Sequence, residues 1–218
     1  MVTIFFDYFF KVYVTQNNIG SSYVQMSTND DQQIIDRILS GDSNSFALLV
    51  DRYKDLVFLL ALRMLKNREE AEEVAQDTFV KIFQSINKFR GDSKFSTWIY
   101  RIGYNTCLDR LRKNRKEQPL MQIDEFTVHQ IKNLDTALDN MEVQEQKKVI
   151  HECLEVLPSE DSFLLTLFYF DERSVSEISK IVGLTEANVK VKLFRGRKKL
   201  ATILKKNLEP EIIESYER

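Results

Sequence analysis

The chain has 218 residues, a formal net charge of −2 and 43% hydrophobic residues, so it can bury a core and wholesale disorder is excluded. It contains only 6 Gly and 3 Pro, which argues against the many tight turns of sandwiches and barrels and favours long helices. The 2 cysteines, Cys107 and Cys153, cannot form a disulfide framework and match no metal-ligand spacing, so we expect a reduced, cytoplasmic protein without a metal or other cofactor.

The small net charge hides two basic segments in an acidic chain. Residues 88–116 carry nine Lys or Arg against two Asp, a net of +7, and residues 185–206 carry eight against one Glu, again +7. The rest of the chain is therefore strongly acidic, at −16. One basic segment could be a solvated helix face, but two of them with aromatic neighbours favour nucleic acid as the ligand.

Residues 1–25 form an N-terminal leader that differs from the rest of the chain. Val2 to Val14 is apolar and aromatic but is interrupted by Asp7 and Lys11. The run is too short to span a bilayer and lacks the basic start and cleavage site of a signal peptide. We expect Met26 to be the biological start and the leader to be disordered or not native. A membrane-anchored signalling protein is an alternative that would rest on this leader alone.

Residues 26–116 are predicted to form a small bundle of four helices, because apolar residues recur at helical spacing from Asp31 onward. Ser43 or Ser45 is predicted to cap the second helix, and Asn67 with Glu70 the third. The fourth is expected from about residue 94 to 113. The residues predicted to face inward are Ile34, Ile35, Ile38 and Leu39; Phe46, Leu49, Val50, Tyr53, Val57, Leu60, Ala61 and Met64; Ala71, Val74, Ala75, Phe79, Ile82, Phe83 and Ile86; and Trp98, Ile99, Ile102 and Leu108.

Residues 117–141 lose this periodicity and are predicted to be a flexible linker. A second helical domain is expected over residues 142–210, followed by a tail at 211–218, so the predicted fold is all-α with two small domains. Helices are expected at 143–157 and 163–170, with Ser159 as a cap before the latter. Ser174 to Glu177 has the pattern of a capping box, Gly183 suits a left-handed turn, and Thr185 can cap a basic helix to about Lys206.

The last two predicted helices form a helix-turn-helix, which typically binds DNA with its second helix. Val189 and Leu193 are expected on the buried side. The alternative is an ordinary helical hairpin with a solvated basic face. The residues predicted to project outward are Asn188, Lys190, Lys192, Arg195, Arg197 and Lys199.

Aromatic and basic residues alternate between Phe89 and Asn105, a pattern that suits single-stranded DNA. The cations can follow the phosphates while flat rings accept unstacked bases. Phe95 and Trp98 also have helical spacing, and for Trp98 a place in the core is favoured.

A third segment, from Glu69 to Asp77, is rich in carboxylates. Such a cluster could bind a metal or transfer protons, and a helical metal-dependent enzyme would rest on Glu69, Glu72 and Glu73. The only histidines, His129 and His151, lie far away in sequence, so a solvated face or a patch that binds a basic protein surface explains the cluster more easily.

Taken in order, these motifs resemble the extracytoplasmic-function (ECF) sigma factors of the sigma-70 family. The resemblance to region 2 rests on Glu70-Ala-Glu-Glu73, Gln76-Asp-Thr-Phe79, Phe89-Arg-Gly-Asp-Ser-Lys-Phe-Ser-Thr-Trp98, Tyr100-Arg-Ile102 and Asn105-Thr-Cys-Leu-Asp-Arg-Leu-Arg112. The resemblance to region 4 rests on Leu157-Pro158, the helix from Ser174 to Gly183, and Asn188-Val-Lys-Val-Lys-Leu-Phe-Arg-Gly-Arg197. It covers about residues 31–206.

The resemblance implies a non-enzymatic factor that binds the core of bacterial RNA polymerase and directs it to promoters. It implies three sites. Core binding, on the coiled coil of the largest subunit, would involve Glu70, Glu72, Glu73, Gln76 and Asp77. Binding of the melted −10 strand would involve Phe89, Arg90, Lys94, Arg101, Asn105 and Arg112. Binding of the −35 duplex would involve Asn188, Lys190, Val191, Lys192, Phe194, Arg195 and Arg197.

The resemblance also implies an anti-sigma factor as a further partner and no insertion into the membrane. Val191 and Asn188 depart from the Ser and Thr usual in the family, so the −35 preference is expected to differ. The closest alternative is a helix-turn-helix regulator that does not associate with the polymerase core.

Overall fold

The computed structural model describes residues 28–115 and 143–207, and within these ranges it contains eight α-helices and no strand. The predicted all-α fold is confirmed for this part of the chain. The predictions for the leader, the linker and the tail fall outside the described residues. The helices are α1 (Thr28–Leu39), α2 (Phe46–Leu65), α3 (Arg68–Ser85), α4 (Phe95–Arg115), α5 (Val143–Val156), α6 (Ser159–Tyr169), α7 (Val175–Val182) and α8 (Glu186–Asn207).

The described residues divide into two compact units. The first contains residues 28–115 together with 174–186, and the second contains residues 143–173 and 187–207. The domain limits expected from the sequence, 26–116 and 142–210, stay predictions.

In the first unit, helices α2, α3 and α4 pack around an apolar core. Met64, Ile82 and Ile99 are almost completely buried, and burial of each such side chain stabilises the fold by about 1.5–3 kcal/mol. Gly103 lets α4 approach closely, because a Cβ atom added there would lie 3.3 Å from a methyl group of Leu60. Burial also raises the pKa of the Cys107 thiol to about 12, so this thiol stays protonated at neutral pH.

Two helix starts in this unit differ in their capping. Asn67 caps α3 as predicted, since its side chain accepts a hydrogen bond from the Glu70 amide at 3.0 Å. The predicted cap of α2 by Ser43 or Ser45 is wrong. Ser45 precedes the helix but makes no capping bond, because its hydroxyl donates instead to the Asp42 carboxylate at 2.6 Å.

Two residues predicted to face inward are exposed instead, and others are covered only in part. Leu39 at the end of α1 is 52% exposed and Phe83 of α3 is 44% exposed, while Trp98, Ile102 and Leu108 are only half-buried. The apolar residues of α3 and α4 cover more than one helix face, and a bundle of this size buries only part of so wide a stripe.

In the second unit, α6 is apolar nearly all round and is largely buried, with Phe163, Leu165 and Leu167 at its centre. The prediction that Ser159 caps this helix is wrong. Pro158 occupies the capping position, no side chain caps the helix, and Ser159 is its first helical residue.

The predicted capping box and turn around α7 are confirmed. The Ser174 hydroxyl accepts from the Glu177 amide at 3.2 Å, and the Ser174 amide donates to the Glu177 carboxylate at 3.0 Å. Gly183 ends the helix with a φ of 70°, a left-handed conformation that glycine adopts without steric cost. Helix α8 then begins at Glu186.

Candidate nucleic-acid interface

Helix α8 has one buried side and one exposed side. Val189, Leu193 and Leu200 are buried, as the sequence predicts for the first two. The exposed side, which we call the terminal-helix face, combines cations, an amide and two large apolar side chains. It consists of Asn188, Lys190, Val191, Phe194 and Arg195.

The remaining basic residues that the sequence predicts to project outward from α8 are engaged within the protein. The prediction that Arg197 projects outward is wrong: it is only 8% exposed, and its Nη1 donates to the Tyr169 hydroxyl at 2.9 Å. Arg197 follows Val189 and Leu193 at intervals of four, which places it on their buried side. Lys192 and Lys199 are half-buried, and Lys192 pairs with Glu160 at 3.2 Å while Lys199 pairs with Asp161 at 2.6 Å.

An aromatic cluster lies where the loop before α4 meets the start of that helix. The ring of Phe95 stacks on Trp98 with centroids 5.5 Å apart, and Phe89 contacts both, at 5.1 and 5.5 Å. Phe95 is buried, whereas Phe89 and Trp98 are half-buried. The expectation that Trp98 belongs to the core therefore holds only in part, because this residue is half-buried.

Exposed polar side chains surround this cluster and continue along α4. Arg101, Asn105 and Arg112 follow Trp98 at helical spacing, so they share one side of α4. Among the described residues, Arg112 pairs only with Asp109, at 3.4 Å, on the surface. The aromatic surface, as we call it, consists of Phe89, Arg90, Lys94, Trp98, Arg101, Asn105 and Arg112.

Three carboxylates near the start of α3 form hydrogen bonds or ion pairs within the first unit. Glu70 accepts two hydrogen bonds from Asn114, at 2.9 and 3.1 Å, Glu73 pairs with Arg110 at 2.9 Å, and Glu72 pairs with Arg68 at 3.0 Å. The bonds of Glu70 and Glu73 hold the start of α3 against the end of α4.

Farther along α3, the chain exposes both polar and apolar groups. Gln76 and Asp77 are exposed and make no side-chain hydrogen bond within the described part of the chain. Val80 is 54% exposed and Phe83 packs edge-on against Phe46 with ring centroids 4.9 Å apart. We call Gln76, Asp77, Val80 and Phe83 the α3 surface. The sequence predicts Phe83 to face inward, because its spacing fits the helical pattern of the core, and it gives no signal that Val80 belongs to a binding surface.

Comparison with known proteins places both units in one family. The model of sigma-70 region 2 matches residues 49–117, and the model of sigma-70 region 4 matches residues 147–200. The chain is 34% identical over 172 residues to the ECF RNA polymerase sigma factor SigW of Bacillus subtilis, covering 76% of this chain and 92% of that one. The chain belongs to the ECF group of the sigma-70 family.

A further relative agrees with this assignment, and one solved structure has a similar fold. The chain is 30% identical over 196 residues to the RNA polymerase sigma-H factor of Pseudomonas aeruginosa, covering 87% of this chain and 100% of that one. The fold resembles CnrH, solved in complex with the cytosolic domain of CnrY, with a TM-score of 0.54 and 22% identity over 81% of this chain and 98% of that one.

The three surfaces can now be assigned to sigma regions. The α3 surface and the aromatic surface lie within the region 2 match, and the terminal-helix face lies within the region 4 match. Within residues 28–115 and 143–207, no group of three or more His, Cys, Asp or Glu is arranged to hold a metal ion. No helix in these ranges is both long and apolar enough to cross a membrane.

Proposed function

We propose that the three surfaces divide the work of a sigma factor. The α3 surface binds the polymerase core, the aromatic surface binds the melted non-template strand of the −10 element, and the terminal-helix face binds the −35 duplex. The observation that carries this proposal is that the two basic segments expose surfaces of different shape, one aromatic and one a single helix face.

The α3 surface has the composition of a protein interface. Exposed apolar side chains next to polar ones mark surfaces that bind other proteins. The carboxylate of Asp77 is available to a basic partner, whereas Glu70 and Glu73 are already held by α4. We therefore assign Glu70, Glu72 and Glu73 a supporting place in core binding, and Gln76 and Asp77 the direct contact.

The aromatic surface suits single-stranded DNA because half-buried rings and exposed cations lie together. Stacking of a base on an aromatic ring contributes about 1–3 kcal/mol, which is comparable with the few kcal/mol needed to unstack a base. Phe89 and Trp98 offer the rings, while Arg90, Lys94 and Arg101 follow the phosphates.

The terminal-helix face suits the major groove, which admits one α-helix. Arg195 can donate two hydrogen bonds to guanine, Asn188 can read adenine, and Val191 can contact a thymine methyl group. Lys190 follows the phosphates. Arg197 is held by its hydrogen bond to Tyr169, so it stabilises the packing of α8 against the second unit. The exposed residues of α8 make the base contacts.

Two separate DNA contacts also explain why polymerase is needed. Each contact alone binds weakly, and its affinity falls with salt as counterions are released. When both units sit on one polymerase, the second contact becomes effectively intramolecular, which strengthens binding by a factor of about 10²–10⁴.

The chain is proposed to act in the cytoplasm as an initiation factor, with the chemistry of RNA synthesis left to the polymerase. An anti-sigma factor is proposed as a further partner. Solved complexes of proteins with a similar fold support this proposal, among them the sigma factor RpoE with the anti-sigma factor NepR from Bartonella quintana, at a TM-score of 0.50 and 16% identity over 74% of this chain and 98% of that one.

Core binding is tested by co-purification with polymerase core and by run-off transcription from a mapped promoter. Asp77→Lys should lower core affinity at least about tenfold, since a like charge at an interface costs several kcal/mol. Glu152→Lys, an equal charge change at an exposed site of α5, is the control and should bind as the wild type does. Equal core binding by wild type and Asp77→Lys would reject the assignment. DNA binding without any association with polymerase core would favour the alternative, a helix-turn-helix regulator that does not bind the core.

A further inference from the structure

The terminal-helix face combines exposed apolar side chains with cations that have no acidic partner among the described residues. Val191 is 47% exposed and Phe194 is 44% exposed. Lys190 and Arg195 form no ion pair within the part of the chain that the structure describes. A third cation, Lys198, lies over the Phe194 ring, with its Nζ 4.9 Å from the ring centroid.

The neighbouring cations of α8 do have acidic partners. Lys192 pairs with Glu160 at 3.2 Å, and Lys199 pairs with Asp161 at 2.6 Å. Both acids belong to α6 and meet α8 on the sides next to the terminal-helix face. Within the described residues of the second unit, this face is therefore the part of α8 whose positive charge is not compensated.

The chain that follows α8 has the opposite charge. We call residues 208–218 the acidic segment; it contains four Glu and one Arg, a net of −3, against +7 for residues 185–206. Its apolar residues Ile212, Ile213 and Tyr216 stand between the glutamates. The acidic segment therefore complements the terminal-helix face both in charge and in apolar character.

The acidic segment is long enough to reach this face. An α-helix rises about 1.5 Å per residue, so Phe194 and Val191 lie about 20 and 24 Å from the end of α8 at Asn207. An extended chain covers about 3.3 Å per residue, so roughly six to eight residues span these distances and bring residues 213–216 within reach. Pro210 disfavours a continued helix, because it lacks the backbone N–H and its ring clashes with the preceding turn.

We propose that the acidic segment folds back on its own α8, covers the terminal-helix face in the free protein and competes there with the −35 duplex. The inference rests on the proposed function of this face and adds its regulation. The glutamates pair with the exposed cations, while Ile213 and Tyr216 pack on Val191 and Phe194. Because a covered face cannot enter the major groove, promoter binding requires the segment to leave.

The size of the effect follows from the fraction of molecules in which the face is uncovered. Exposed ion pairs are individually weak, but a short connection keeps the segment at a high effective concentration beside α8. We expect the segment to cover the face in about 80–90% of free molecules, so that its removal raises duplex affinity about 5- to 10-fold.

The test measures binding of the free protein to a −35 duplex from a mapped promoter by fluorescence anisotropy. A chain that ends at Asn207 should bind about 5- to 10-fold more tightly than the full chain. The double substitution Ile213→Ser and Tyr216→Ser keeps the charge of the segment but removes its apolar contacts, and it should raise affinity at least about threefold. Val156→Ser, at a 60% exposed apolar residue of α5, is the control and should bind as the unchanged full chain does.

Three results would overturn the inference. The first is equal affinity of the full and the shortened chain. The second is a gain on shortening without a gain from the double substitution, because repulsion between the glutamates and DNA would then account for the whole effect. The third is a dimer in sedimentation velocity that is lost on shortening, which would place the segment on a second copy instead of its own α8.

Failure of the proposed function has a different signature. Arg195→Glu in the shortened chain should remove most of the duplex binding, because it reverses a charge on the terminal-helix face. If this variant binds the duplex as tightly as the shortened chain itself, the face does not bind the −35 element, and the inference falls with that assignment. If it loses binding while shortening alone brings no gain, the −35 assignment stands and only the inference is wrong.

Discussion

The two basic segments of the chain have equal net charge and different surfaces. Each carries +7, but the first surrounds half-buried rings with exposed cations, and the second exposes one narrow face of α8. In α8, Arg197, Lys192 and Lys199 are engaged by Tyr169, Glu160 and Asp161. Net charge thus indicates a polyanion, while the arrangement of rings and paired cations indicates which form of DNA fits.

The largest effect is expected on stability, from a substitution in the core that supports the terminal-helix face. Leu193→Ala should lower the free energy of unfolding of the second unit by about 2–5 kcal/mol, because it leaves a cavity under α8. Its exposed neighbour is the control: Phe194→Ala should change stability by no more than about 0.5 kcal/mol. Urea unfolding followed by circular dichroism measures both. Equal destabilisation by the two variants would contradict the assignment of the two sides of α8.

The next effect concerns the aromatic surface. Phe89→Ala should reduce open-complex formation roughly 5- to 150-fold, since one stacked ring contributes about 1–3 kcal/mol, and should leave −35 duplex binding unchanged. Asn105→Ala should weaken melting in the same direction. Permanganate reactivity of the melted strand reports the change. The control is Phe168→Ala, which removes a half-buried ring of the second unit and should leave melting unchanged. Normal melting by Phe89→Ala would show that stacking on Phe89 does not contribute to open-complex formation.

A smaller effect separates two arginines of α8. Arg195→Ala should lower discrimination at one −35 base pair by about 1–3 kcal/mol without changing stability. Arg197→Ala should instead lower stability by about 1–3 kcal/mol, because the buried Tyr169 loses the hydrogen bond from Arg197, and should keep the base preference. Competition binding with single-base promoter variants distinguishes them. If Arg197→Ala loses the base preference and keeps normal stability, then Arg197 projects outward, as the sequence predicts, and the buried position is wrong.

The smallest effect is expected on the salt dependence of DNA affinity. Lys190→Ala should reduce the slope of log affinity against log salt by about 0.9, the value for one phosphate contact. Lys192→Ala should reduce it by less than half of that, because Lys192 is already paired with Glu160. Binding titrations of holoenzyme at several salt concentrations give both slopes, and equal slopes for the two variants would show that the pair does not hold Lys192 away from DNA.

The sequence predicts most of the fold, and the capping box of Ser174, the cap of Asn67 and the turn at Gly183 occur as predicted, because their signals are local. What it does not predict depends on tertiary packing. The apolar spacing of α3 does not tell which of its residues remain uncovered, so the sequence places Phe83 in the core although its side chain is exposed. The orientation of Arg197 depends on Tyr169, a residue distant in the chain.

The most direct test of separate DNA contacts measures the affinity of holoenzyme for two probes, a single-stranded −10 segment and a −35 duplex from one mapped promoter. Arg101→Glu and Arg195→Glu make the same charge change on the aromatic surface and on the terminal-helix face. We expect Arg101→Glu to weaken only single-strand binding and Arg195→Glu to weaken only duplex binding. If both variants weaken both probes equally, the two basic segments serve one undifferentiated contact and the assignment of separate roles is wrong.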